Sequence, residues 1–279
     1  IHTPLVFLEK GGEYVYLQSL DDGVRAKRFA FYATGGEAVA ELIHGEAAHE
    51  MAGRIETAPW RIGQTGDPEA VVREHTAHVE RAYGLRPWEE REDVPGWARE
   101  ISLVVTLHGM HWTGYTFNTY AQMLAAIEWV CERIPGKRVL AFLPGWEGRY
   151  YWQYGDYRPE PKLGGPEGFR ALANGARRLG VTLMPMFGAN CANTGLPGYE
   201  TWGAPAVLKS PTGMVFQGNR PDWDAARSND PGWQAWLNPG HPTWRSHLVE
   251  QVSALLGEYG LRAVFFDTHH IWENDPDYP

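Results

Sequence analysis

Residues 261–270 read LRAVFFDTHH, an apolar run that ends on a carboxylate, followed at once by a hydroxyl and two imidazoles. A buried strand with polar groups at its carboxyl end fits those residues. Similar phrases stand earlier in the chain at 102–107 (SLVVTL), 138–143 (RVLAFL) and 181–187 (VTLMPMF). Helix-like segments at 118–134, 166–179 and 242–259 fall between them, and the short turns IPGKR, LG and YGL hand each helix on to the next strand. Strands that alternate with helices run parallel, and near-continuous apolar runs imply a sheet covered on both faces. The class is therefore α/β. Short turns before the strands and long loops after them place the chemistry at the carboxyl ends, as in a (β/α)8 TIM-type barrel. Such a barrel needs eight strands. Four are legible, so the expectation is the first four βα units of a larger barrel.

Working back toward the start, residues 1–66 hold short alternating segments (5–8, 14–17 and 28–32) broken by GlyGly and AspAspGly. That pattern predicts antiparallel strands and hairpins, read as part of an N-terminal β-sandwich domain. The chain opens on Ile1 without a start Met, which suggests missing upstream strands. The stretch GDPEAVVREHTAHVERAYG (66–84) supplies an Asp N-cap, a Pro at the first helical position and a closing Gly, so a linker helix is expected. The Pro-rich, charged RPWEEREDVPGW (86–97) completes a connection over 67–96, leaving 97–279 as the barrel.

Composition narrows the partners. The 279 residues carry a formal charge of −9, and no Lys/Arg run offers the clustered positive charge that nucleic acid requires. No segment reaches the ~18 consecutive apolar residues of a membrane span. The first residues lack a charged then apolar leader pattern, so no compartment can be read. With only Cys131 and Cys191 present, no disulfide framework is expected. Thirteen Trp and thirteen Tyr supply many flat amphipathic rings, which suit a neutral polyol such as an oligosaccharide or glycoside. No cofactor is implied, and oligomeric state is not legible.

Asp267, at the carboxyl rim of strand four, is the catalytic candidate, because a carboxylate there can attack an anomeric carbon and form an ester that water later cleaves. The alternative is a plain turn cap. After strand two, GWEGRYYWQYGDYRP (145–159) offers Trp146, Glu147 and Asp156 as ligand groups. After strand three, MPMFGANCAN (184–193) offers Asn190 and Asn193, whose amides both donate and accept. Trp112 and Tyr115 after strand one, with Trp202, Trp223, Trp233 and Trp236 in the loop spanning 188–241, are candidate stacking rings, Trp112 foremost. His269 and His270 are expected to meet sugar hydroxyls. A metal site built from His108, His111, Asp267 and His269 is the competing reading, although HxxH leaving a strand is not a usual ligand spacing.

Taken together, GWEGRYYWQYGDYRP, MPMFGANCAN and FFDTHHIWENDP give residues 67–279 a likeness to clan D-like glycoside hydrolases. The chain resembles a bacterial family of unknown function in that wider group, with a β-sandwich before the barrel. The resemblance implies a retaining α-glycosidase in which Asp267 is the nucleophile, with Trp146 and Glu147 among sugar-binding residues after strand two. It places the acid/base carboxylate after a sixth strand, beyond Pro279, which would leave the chain inactive alone. Related enzymes often carry Lys two positions before the nucleophile; Phe265 stands there. A non-catalytic carbohydrate-binding barrel is the alternative that this departure suggests.

Overall fold

The computed structural model describes residues 4–23, 25, 27–45, 53–54, 56–149, 151–210, 213–215 and 234–268. The chain forms two compact units, Ile1–Asp93 and Val94–Pro279. In the first, β1 (Leu5–Lys10), β2 (Glu13–Ser19) and β5 (Trp60–Thr65) make an antiparallel sheet in the order β1-β2-β5. A separate hairpin joins β3 (Lys27–Thr34) to β4 (Glu37–His44). Both tight hairpins turn on glycine pairs, Gly11–Gly12 and Gly35–Gly36. Helix α1 (Pro68–Ala82) starts where Asp67 accepts the Ala70 amide at 3.0 Å. Its Val71 and His75 are buried, and His75 Nδ1 meets the Gln18 amide of β2 at 2.9 Å. Helix α1 is therefore packed into this unit.

The second unit opens with α2 (Gly96–Glu100) and is built on β6 (Leu103–Thr106), β7 (Val139–Leu143), β8 (Thr182–Gly188) and β11 (Phe265–Asp267). These form one parallel sheet in the order β11-β8-β7-β6. Between the strands run α3 (Tyr120–Cys131), α4 (Gly165–Leu179) and α6 (Pro242–Tyr259). Each helix forms for a local reason. Thr119 and Gln122 close a reciprocal capping box on α3, which satisfies two otherwise orphaned amides. On α4, Phe169, Leu172, Ala173 and Ala176 recur at helical spacing and are buried, and each large side chain so removed from water contributes roughly 1.5–3 kcal/mol. Gly180 ends α4 with the Val181 amide returned to the Ala176 carbonyl at 2.9 Å.

The parallel order, the short turns and the strand positions match the sequence expectation to within a few residues, with one exception. β11 is short: residues 261–264 lie outside the ladder, and only 265–267 pair with β8. The expected cover on both faces is also corrected. Val139, Ala141 and Leu143 are fully buried and belong to one core with α3, α4 and α6. Their alternates Leu140 and Phe142 are only partly buried, and Val104 in register with Leu140 is 56% exposed. Among the described residues the helices thus cover one face, and β6 and β11 each pair on one side only.

The loop after β8 holds β9 (Cys191–Asn193), α5 (Tyr199–Trp202) and β10 (Gln234–Trp236), with β10 antiparallel to β9. No helix among the described residues is long and apolar enough to cross a membrane.

Candidate active site

The candidate residues lie at the carboxyl ends of the parallel strands and in the loops that follow them. Asp267 ends β11 in register with Gly188, which ends β8, and the Ala189 amide extends the ladder by donating to the Asp267 carbonyl at 2.7 Å. The Asp267 backbone is therefore fixed by the sheet. Its side chain is fixed from the loop after β7: the Tyr154 hydroxyl donates to Asp267 Oδ2 at 3.2 Å. Tyr154 is fully buried and lies directly over Gly188, where an added Cβ would stand 2.2 Å from its ring. Only glycine admits the ring there. Tyr157 holds the same residue by its backbone, accepting the Gly188 amide at 2.9 Å and donating to the Gly188 carbonyl at 3.2 Å. Burial raises both phenols well above their usual range, so they remain donors at any working pH.

Thr268 follows Asp267 at φ 57, a conformation that β-branched residues rarely adopt. Its hydroxyl donates to the Asp267 carbonyl at 2.7 Å and receives the Cys191 thiol at 3.2 Å. Burial pushes the Cys191 thiol up to about 12, so it stays protonated and packs as a small apolar group; both cysteines are free.

Glu147 sits in the turn after β7, 2% exposed. The turn is tight because Gly145 (φ 65) presses against Met110, whose carbonyl oxygen would lie 2.2 Å from an added Cβ. Neither Glu147 carboxyl oxygen receives a hydrogen bond from another described residue. Burial, reinforced by the Asp267 charge, raises its pKa to about 8. Glu147 therefore keeps its proton at neutral pH. Strongly shifted acids of this kind concentrate at functional sites.

The other expected ligand groups separate. Trp146 is fully buried, packed on Phe169 and Phe187 with Nε1 donating to the Met186 carbonyl at 2.9 Å. A ring without exposed surface offers no face to a sugar, so Trp146 is a core residue. Asn193 is also spent on structure: Nδ2 donates to the Trp152 carbonyl at 3.1 Å, and Oδ1 accepts the Gly195 amide at 2.9 Å. Asn190 is buried at the β8–β9 turn, its carbonyl accepting the Leu237 amide.

Asp156 pairs with Arg158 and lines a groove of about 470 Å³ along α6 with Trp202, His247 and Gln251, whose walls include neither Glu147 nor Asp267. Trp202 stacks on His247 with ring centres 4.3 Å apart. Trp112 is partly buried, its carbonyl held by Arg149 at 2.6 Å, and Tyr115 is 64% exposed. Trp236 is a partly buried β10 residue. Trp223, Trp233, His269 and His270 lie outside the described residues. Among the described residues, no three His, Cys, Asp or Glu come together to hold a metal ion. The His108 and His111 rings stand 6.3 Å apart, and burial lowers both pKa values.

Tyr154, Tyr157 and Gly188 were not singled out from the sequence. The signal was present as a Tyr at every third position, 151, 154 and 157, but a loop has no fixed period from which to assign facing.

No family model and no curated protein matches the sequence. Solved structures do match in fold. The ligand-free α-N-acetylgalactosaminidase NagBb from Bifidobacterium bifidum superposes with a TM-score of 0.73 at 15% identity, over 99% of this chain and 47% of that one. The α-galactosidase TtGalA from Thermus thermophilus, in complex with stachyose, gives 0.56 at 16% identity over 94% of this chain and 46% of that one. The chain therefore shares the fold of these glycosidases and spans less than half of their length.

Proposed function

We propose that this chain is the nucleophile-bearing part of a retaining α-glycosidase, with Asp267 attacking the anomeric carbon. The observation that carries the reading is the Asp267 carboxyl group at a parallel-strand rim, held there by a hydrogen bond from Tyr154. Attack forms a C–O bond from Asp267 to the sugar as the glycosidic C–O bond breaks, its electron pair leaving with the aglycone oxygen. Water then cleaves the ester. A second carboxyl about 5 to 5.5 Å away protonates the leaving group and later activates the water. The resemblance places it after a sixth strand of a (β/α)8 barrel, of which residues 97–279 supply the first four βα units. Residues 1–66 are on this reading part of a β-sandwich domain, joined through 67–96.

The substrate class we propose is an α-linked galactose or N-acetylgalactosamine glycoside, on the strength of the shared fold with an α-N-acetylgalactosaminidase and an α-galactosidase. Trp112, His269 and His270 are proposed to contact sugar; both Glu147 carboxyl oxygens are buried, which takes Glu147 out of the sugar-contact set. A second reading, a carbohydrate-binding protein without catalysis, is favoured by one observation. Phe265 occupies the place of the expected Lys and packs on Phe142 with ring centres 4.8 Å apart.

The test is hydrolysis of aryl α-galactosides and aryl N-acetyl-α-galactosaminides by the intact protein. Activity abolished by Asp267→Asn is expected; activity unchanged by that substitution contradicts the proposal.

A further inference from the structure

We propose that Tyr154 is the positioning residue for the nucleophile, fixing the Asp267 carboxylate in the orientation from which it attacks. The inference rests on the glycosidase reading and adds to it a residue from a different loop. A carboxylate on a short terminal strand can rotate about two side-chain bonds, and each misdirected rotamer lowers the fraction of molecules poised for attack. The backbone on either side of Asp267 is set by the β8 ladder and by Thr268. Those contacts leave the carboxylate itself unfixed. The one hydrogen bond described to a carboxylate oxygen of Asp267 comes from Tyr154.

Tyr154 is well suited to that task because its own position is over-determined. Its ring lies against Gly188, the residue in register with Asp267, so the strand that fixes the Asp267 backbone also fixes the phenol. Tyr151 packs edge-on at 5.4 Å, Tyr157 lies at 6.2 Å, and the Tyr154 carbonyl accepts the Asn193 amide at 3.2 Å. The phenol stays protonated chiefly through burial. It therefore donates and cannot compete as a base.

The experiment compares the intact protein with Tyr154→Phe and Asp267→Asn, using p-nitrophenyl α-galactoside and α-galactosyl fluoride, or the corresponding N-acetylgalactosamine compounds. Tyr154→Phe keeps the ring on Gly188 and deletes only the hydroxyl. The expected result is a kcat about 10- to 100-fold lower with KM within about threefold, and an unchanged melting temperature. The loss should be as large with the fluoride, whose departure as F⁻ depends little on proton donation, because the defect lies in attack. Crystal structures of both proteins provide a readout independent of turnover: the Asp267 carboxylate should rotate or split between rotamers in Tyr154→Phe.

An unaltered carboxylate, or a wild-type kcat where Asp267→Asn is inactive, overturns the positioning role while the glycosidase reading stands. Activity that survives Asp267→Asn overturns both. If neither substrate is turned over, the glycosidase reading falls and the crystallographic comparison still decides whether Tyr154 orients Asp267.

Discussion

Asp267 and Gly188 end adjacent parallel strands in register, and the absence of a side chain on Gly188 is what allows Tyr154 to reach the Asp267 carboxylate. The relationship makes the site sensitive to one methyl group. Gly188→Ala would set a Cβ 2.2 Å from a fully buried ring. The expected outcome is a loss of about 1–3 kcal/mol in a denaturant melt, with hydrolytic activity falling further than Tyr154→Phe alone brings it. A stable, fully active Gly188→Ala protein would show that the close packing is dispensable.

Glu147 should govern how stability depends on pH. Its pKa rises from 4.5 to about 8 on folding, so between those values the folded state holds a proton that the unfolded state has released. Stability then falls as pH rises across the window, by up to about 1.4 kcal/mol per pH unit, and levels off above the folded value. Glu147→Gln should remove that slope, matching the wild type near pH 4 and exceeding it near pH 8. Thermal melts of both proteins across pH 4–9 make the comparison; parallel curves would mean that Glu147 titrates normally.

Trp146 and Trp112 should separate by what they disturb. Truncating the fully buried Trp146 to Ala removes its packing on Phe169 and Phe187 and its hydrogen bond to Met186, at an expected cost of about 3–5 kcal/mol. Trp112→Ala, at a partly exposed rim position, should raise KM for an aryl α-glycoside and leave the melting temperature within a degree or two of wild type. Urea denaturation together with KM measurements reads both effects.

The strand and helix order was legible because each element carried its own period: buried runs for β7 and β8, and 169, 172, 173 and 176 for the inner face of α4. The rim position of Asp267 followed from the same text. Side-chain facing within loops did not. Trp146 and Glu147 are neighbours in one turn, and nothing in their order says that one fills the core while the other is buried without a hydrogen-bond partner among the described residues. Asn193 looked like a ligand because an amide serves polyols and loop backbone equally well; its two bonds to Trp152 and Gly195 decide for backbone. The Tyr154–Asp267 contact joins positions 113 residues apart, and no local pattern encodes such a pairing.

The central claim is that Asp267 becomes covalently bonded to sugar. Incubating the intact protein with a 5-fluoro α-galactosyl fluoride, or with the 5-fluoro N-acetyl-α-galactosaminyl fluoride, slows breakdown of the glycosyl ester enough for proteolysis and mass spectrometry. The account predicts one added glycosyl group, on the peptide containing Asp267 and on that side chain. A label on any other residue, or turnover by a protein that never acquires a label, would contradict it.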